Sequence, residues 1–373
     1  MLFLILIISF IIYCISLCFF LSGLFKTSKP LQNKILSDIS VILCVRNGEK
    51  IIENILSDFK NQDYKGNLEF IIIDDNSNDR TCNKIQNFIN SDNRFKYFNT
   101  KLYQADLTHK KKAISLGINK SKFEWLLFTD VDCRVSKSWV SSIAKYYNKN
   151  DFVIGFSNVE SNKSFVSKFQ SIDFKMLMFS ALGSSLHGFS LASSGQNQSY
   201  KKFFYKKING FNTIKNLLQG DDSIFLQLYK KQKNIKISFS EDVKSHVTAK
   251  THNSWKKFIL QRIRWAGDAN IMWKYNKIFF IIIIATFLTN VLFAVSIIYS
   301  FFVNKYLPII CCLVFVKFVF ELSLYCKGCK RLHKSIDIYS FLLWFIMQPI
   351  YVVVVGLLSF FSKQFVWHGR RAN

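Results

Sequence analysis

The first 25 residues, MLFLILIISFIIYCISLCFFLSGLF, contain no charged side chain. Such a run has few possible fates, because about 20 apolar residues in a helix cross the hydrocarbon core of a bilayer. A cleaved signal peptide would want a basic start, a shorter apolar run and a small-residue cleavage site. None is evident, so the run predicts a retained N-terminal transmembrane helix over 1–25. The next apolar stretch begins near Ile278, where KIFFIIIIATFLTNVLFAVSIIYSFFV is long enough for a second span. After Asn304 and Lys305, YLPIICCLVFVKFVFELSLY can form a third, in which Lys317 and Glu321 stand four residues apart and can pair. A last run, 338–361, follows the basic loop CKGCKRLHKS and contains Pro349. The chain is thus expected to divide into an anchor (1–25), a block of soluble composition (36–275), a C-terminal membrane region (278–362) and a basic tail (363–373).

Lys26, Lys29 and Lys34 follow the first span at once. The positive-inside rule then sets the soluble block in the cytoplasm of a multi-pass protein of the cell (inner) membrane. The last run would carry KQFVWHGRRAN outside, against that rule, unless it is partly interfacial. The formal charge is +26. Its lysines are dispersed and no nucleic-acid module accompanies them, so nucleic acid is not an expected partner. The excess suits an anionic inner leaflet and a ligand bearing a diphosphate. Of nine cysteines, those in the soluble block (Cys44, Cys82, Cys133) have no paired spacing, as in a reduced compartment. Cys326-x-x-Cys329 lacks the further ligands of a zinc site.

Within 36–275, β-branched runs alternate with helical spacing. DISVILCV (38–45), LEFIIIDDNSNDRT (68–81), FKYFN (95–99) and EWLLFTDVDC (124–133) read as strands, the second and fourth ending on acids. Between them, RNGEKIIENILSDFKNQ (46–62) spaces Ile51, Ile52, Ile55, Leu56 and Phe59 as a helix does. CNKIQNFINS (82–91) and KKKAISLGINKS (110–121) read as further helices. This alternation predicts an α/β domain with a mostly parallel sheet. Ligands of such sheets bind beyond the carboxyl ends of the strands, where Asp74-Asp75 and Asp130/Asp132 fall.

Asp130 and Asp132 repel each other unless a cation lies between them. Mg²⁺ and Mn²⁺ suit the place, since they take one or two carboxylates together with substrate phosphates. One acid can then ligate the metal while the other reaches the ligand's sugar or the metal's waters. Standing alone, Asp-x-Asp is also an ordinary turn signature. It is accompanied by Asp221-Asp222 after Gly220, and by QRIRW (261–265) on a helix after SWKKFIL. There Gln261, Arg264 and Trp265 share one face. Arg suits bidentate phosphate contact and Trp offers a flat surface to a sugar ring. An amphipathic helix lying on the membrane is the other reading of that pair. Phe165–Leu191, apolar and poor in charge, reads as core, acceptor-binding surface or interfacial helix.

In order along 40–270, these segments resemble the family 2 glycosyltransferases. The nearest branch is the membrane-anchored one with cellulose and hyaluronan synthases and ceramide glucosyltransferases. SVILCVRNGEKII resembles the opening strand and turn, with Cys44 and Gly48 where the family often has Pro and Glu. IIIDDNSNDRT resembles the nucleotide-binding turn, HKKKAISLGI the Gly-Lys segment with His109 for Gly, and FTDVDCRVSKSWV the metal motif. SGQNQSYKKFFYKKINGF (194–211) resembles the acceptor-side Gly-x-Asn-x-x-Tyr segment, GDDSIFL the acidic pair with the base, and QRIRW the Gln-x-x-Arg-Trp motif. WHGR (367–370) resembles a Trp-Lys-Gly-Arg ending, with His368 for Lys.

The resemblance implies a GT-A-like mostly parallel sheet flanked by helices, with one N-terminal and two to three C-terminal transmembrane helices. It implies an inverting, metal-dependent transfer from a nucleotide sugar, most often a UDP-sugar, to a lipid or lipid-linked acceptor. Asp74 and Asp75 would contact base and ribose. Asp130 would reach the ribose or the metal's waters, and Asp132 would ligate Mg²⁺ or Mn²⁺. Lys110 would help neutralise the diphosphate leaving group, and Gln261 and Arg264 would hold the donor. Asp222 would be the general base, with Asp221 and Trp265 at the acceptor. Two other readings remain. A processive polysaccharide synthase shares the Gln-x-x-Arg-Trp motif but needs a channel that so few spans hardly offer. A non-enzymatic, membrane-anchored basic binding domain would make the acids dispensable.

Overall fold

A computed structural model describes residues 2–27, 36–90, 92–162, 164–217, 219–300 and 307–361. The tail 363–373 with its WHGR, and Lys29, Lys34, Asn304 and Lys305, lie outside the described residues. The first apolar run forms α1 (Leu2–Gly23). The next segment alternates as β1 (Ile39–Val45), α2 (Ile52–Lys60), β2 (Leu68–Asp74), α3 (Thr81–Ile89), β3 (Phe95–Asn99), α4 (His109–Lys120) and β4 (Trp125–Asp130). There follow β5 (Cys133–Val135), α5 (Trp139–Ala144), β6 (Phe152–Gly155), β7 (Ser157–Glu160), α6 (Phe165–Leu186), β8 (Gln198–Lys201), α7 (Lys202–Lys207), α8 (Ser223–Lys230), β9 (Ile237–Ser240) and β10 (Val247–Lys250). Four more helices follow among the described residues: α9 (Trp255–Ala269), α10 (Lys277–Ser300), α11 (Leu307–Arg331) and α12 (Ile338–Ser359).

These elements fall into two units. All ten strands, with α2–α5, α7 and α8, make one. Its main sheet runs β3-β2-β1-β4-β8-β6-β9. The first four strands are parallel, and β8 runs antiparallel to both β4 and β6. A second sheet, β5-β10-β7, lies beside it in the same unit. Every residue of β2 is buried, which is why its sequence is apolar without alternation. Val41, Leu43 and Val45 of β1 share a core with Ile52, Ile55, Leu56 and Phe59 of α2. Each such fully buried side chain contributes about 1.5–3 kcal/mol. Register then sets the acids: Val45 lies opposite Asp74 and Cys44 opposite Asp130. Two neighbours of β1 therefore end in carboxylates at one edge of the sheet.

Helix α2 begins later than the spacing predicts. The backbone N–H groups of Asn47 and Gly48 donate to Ser77 Oγ and Thr81 Oγ1 at 2.9 and 2.8 Å, so residues 46–51 are spent bridging to the turn after β2. That turn starts at Asp74, whose Oδ1 accepts the Ser77 N–H at 2.9 Å and stops the strand short of the predicted residue 81.

The other unit comprises α1, α6 and α9–α12. The expected single block 36–275 is therefore divided, because α6 and α9 pack with the apolar helices. Among the described residues, four helices are long and apolar enough to cross a membrane, one N-terminal and three C-terminal: Leu4–Gly23, Lys277–Ser300, Leu307–Arg331 and Ile338–Ser359. Pro349 lies inside the last without ending it. Leu6 and Phe10 of α1 form a core with Leu292 and Phe293 of α10. Helices α1 and α6 cross at bare backbone, since a Cβ on Gly23 would sit 2.0 Å from Gly183 O. Lys317 and Glu321 of α11 pair at 2.9 Å, both buried. Tyr13 of α1 donates to Glu321, and Lys317 donates to Gln348 of α12. The pair expected from spacing alone is thus part of a cluster joining three helices.

Candidate active site

The geometry begins at Lys110, in the first turn of α4. Its Nζ lies 2.8 Å from Asp130 Oδ1 and 3.3 Å from Asp221 Oδ2. One ammonium therefore joins the carboxyl end of β4 to the acidic pair that precedes α8, groups that are ninety residues apart in the chain. Burial alone would favour a neutral amine. The two carboxylates more than offset it and hold the Lys110 pKa well above its ordinary value.

Asp221 and Asp222 follow Gly220, whose φ of +100° only glycine adopts without strain. Lys111 draws the preceding loop in by donating to Leu217 O and Gln219 O. Gln198 of β8 donates to Asp221 O at 2.9 Å. The half-buried Asp222 caps α8, its Oδ1 accepting the Ser223 N–H. The two acids have opposite electrostatics. Burial would raise Asp221, but Lys110 outweighs it and holds the group below the usual carboxylate range. Burial first, and then the Asp221 charge, push Asp222 up to about 6. Asp132 stands exposed at the rim two residues beyond Asp130. Loss of water on its protein side, and next the Asp130 charge, push it up to about 6 as well.

Asp74 is buried and its oxygens are occupied: besides Ser77 N–H they accept Tyr97 Oη–H at 3.0 Å and Asn99 Nδ2–H at 3.2 Å. Asp75 Oδ1 accepts the Thr100 hydroxyl at 3.0 Å, and Arg46 donates to Asp75 O at 2.8 Å. The resemblance left Cys44 without a role. Its thiol lies in the combined field of Lys110, Asp130, Asp75 and Asp221, and burial pushes its pKa far up. It therefore lines the site as a neutral wall. The acceptor-side segment separates into parts. A Cβ on Gly195 would meet Asp221 Oδ2 and Lys110 Nζ, each at 3.4 Å. Asn197, by contrast, is fully buried, donates to Phe156 O and Ser245 O, and accepts from Trp139 Nε1. Tyr200 packs in the core against Phe128 and Phe152.

Gln261, Arg264 and Trp265 lie on α9 of the helical unit. Their neighbour Arg262, which spacing gave no part, pairs with the buried Asp173 of α6 at 2.7 Å. Asp173 also accepts Trp344 Nε1–H at 3.4 Å and Tyr351 Oη–H at 3.3 Å from α12. A single acid in the apolar run Phe165–Leu191 was the available signal.

No group of three or more His, Cys, Asp or Glu gathers to hold a metal among the described residues. Asp130 and Asp132 offer two carboxylates, and the charge of the first adds to the effect of burial in raising the second. That suits a hard divalent cation whose remaining ligands are water and substrate phosphate.

Residues 40–208 match the family described as Glycosyl transferase family 2, which leaves Asp221, Asp222 and 261–265 beyond the matched segment. The GalNAc(5)-diNAcBac-PP-undecaprenol beta-1,3-glucosyltransferase of Campylobacter jejuni is 30% identical over 124 residues, 33% of this chain and 37% of that protein. An uncharacterized glycosyltransferase of Haemophilus influenzae is 30% identical over 115 residues, 31% of this chain and 34% of the relative. The probable glycosyltransferase YdaM of Bacillus subtilis is 26% identical over 259 residues, 66% of this chain and 59% of the relative. The chain thus spans less than two thirds of each of these relatives. Among solved structures, the mannosyltransferase PcManGT of Pyrobaculum calidifontis, in complex with GDP-Man and Mn2+, matches with a TM-score of 0.59 at 14% identity. That match covers 97% of this chain and 100% of the other, and it is a likeness of fold. A GT-A-like mixed sheet, acids at its parallel edge and the matched segment agree: residues 40–208 are a segment of the family 2 glycosyltransferase type.

Proposed function

We propose that the chain transfers a sugar from a nucleotide-sugar donor, a UDP-sugar in the first instance, to a lipid or lipid-linked acceptor, inverting the anomeric carbon. The observation that carries this is the Lys110 bridge from Asp130 to Asp221, which sets an acid-lined ligand edge beside a carboxyl of raised pKa. Asp222 accepts the proton of the acceptor hydroxyl as its oxygen attacks the sugar carbon from the side opposite the diphosphate. The diphosphate departs toward Lys110, whose fixed ammonium stabilises the charge that develops. Asp75 receives base and ribose, while Asp74 stabilises the turn behind it. Asp130 reaches the ribose, and Asp221 holds Lys110 and borders the acceptor. Asp132 would hold Mg²⁺ or Mn²⁺, which supplies Lewis-acid charge at the diphosphate when bound. Gln261 and Arg264 as donor contacts and Trp265 as an acceptor contact rest on their motif alone.

The Campylobacter relative is named for a PP-undecaprenol glycan, and the Pyrobaculum structure is a complex with GDP-Man and Mn2+. These favour a lipid-linked acceptor, a nucleotide-sugar donor and a divalent ion. The four apolar helices favour a membrane, and Lys26 after the first span favours a cytoplasmic site at the inner membrane. The test is Asp222→Asn in the full chain. Transfer should fall on the order of a thousandfold, with donor affinity within about threefold of wild type. Wild-type turnover in that variant would refute the assignment.

A further inference from the structure

Helix α9 carries a second stripe beside the motif face. Phe258, Arg262 and Trp265 recur at four and then three residues, so they line one side of the helix. The guanidinium of Arg262 lies 4.2 Å from the Trp265 ring centroid and 5.0 Å from that of Phe258. Phe174 of α6 closes the group, its ring centroid 5.7 Å from that of Trp265. Beneath, Asp173 holds Arg262 Nη2 at 2.7 Å and is itself held by Trp344 and Tyr351. Trp265 therefore belongs to both stripes. One of its faces is covered by a planar cation that a buried carboxylate holds in place. Stacking of this kind is a property of arginine that lysine does not reproduce.

We propose that Arg262, locked by Asp173, is a positioning residue that sets Trp265 for the acceptor. It acts through the tryptophan and touches no substrate. The proposal rests on the reading of Trp265 as an acceptor contact and adds what makes that contact rigid.

The test compares full-length Arg262→Lys and Arg262→Gln with wild type. Transfer kinetics and acrylamide quenching of Trp265 are measured, the quenching taken as the difference from Trp265→Phe. In Arg262→Lys the charge on Asp173 remains and the stack is lost. Acceptor KM should then rise about tenfold while donor KM and thermal midpoint stay near wild type. Trp265 quenching should rise about twofold, and Arg262→Gln should be worse on every count because it leaves Asp173 buried without its cation. Unchanged acceptor KM in both folded variants would overturn the proposal. So would a loss in Arg262→Lys in which kcat and thermal midpoint fall and both KM values rise together, since that marks a purely structural pair. If Asp222→Asn, run in parallel, kept full transfer, the proposed reaction would fail separately. The quenching would then decide alone, and an unchanged value in Arg262→Lys would overturn the stack.

Discussion

Asp221 and Asp222 are neighbours in the chain facing different surroundings. The first meets Lys110, and the second meets the first. When two titratable groups are driven apart in this way, the environment assigns their roles. The acid held low stays charged to anchor the lysine, and the acid raised to about 6 can exchange a proton near neutrality. Asp222 must lose its proton before it can act as base. Log(kcat/KM) should therefore climb with pH up to about pH 6 and level off above it. A flat wild-type profile across this range would contradict the assignment. The acids themselves were legible as Asp-x-Asp and Gly-Asp-Asp. That one lysine joins them was not, because the ninety intervening residues carry no signal of proximity.

At the scale of elements, helical and strand spacing located β1–β4 and α2–α4, with the start of α2 and the end of β2 missed by six and seven residues. Their ends were less legible, because caps and turns depend on partners far along the chain, as Asn47 and Gly48 do on Ser77 and Thr81. Helix α6 was open among three readings. Its packing against α1 explains the composition, for a Cβ on Gly183 would lie 2.2 Å from Phe20 O. Neither backbone can yield there as a side chain could. Gly183→Leu should therefore cost at least about 1–3 kcal/mol through overpacking. The thermal midpoint of the purified chain in detergent reads this, and an unchanged midpoint would show the crossing to be looser than described.

For the whole molecule, the polar cluster of Tyr13, Lys317, Glu321 and Gln348 ties three apolar helices that dispersion alone would leave free to rotate. Removing one member of a buried ion pair leaves the other uncompensated, at a cost of about 3–5 kcal/mol. Lys317→Met should thus lower the yield of folded protein sharply. Lys317→Met with Glu321→Gln should recover much of it, because Gln can still accept from Tyr13. Comparing thermal midpoints of the two variants in detergent checks this, and equal losses in both would argue against a coupled pair.

By itself the sequence determined which runs are long and apolar enough to cross a membrane, which runs are strands and which are helices, and that acids close the strands. These are local properties, written in periods of two and 3.6 residues and in uninterrupted apolar length. Only the tertiary structure decided that Lys110 stands between Asp130 and Asp221, that Cys44 lines the same edge, that Asn197 is a buried strut, and that Asp173 holds Arg262. Each of these depends on which distant segments meet, and packing of the completed core makes that choice.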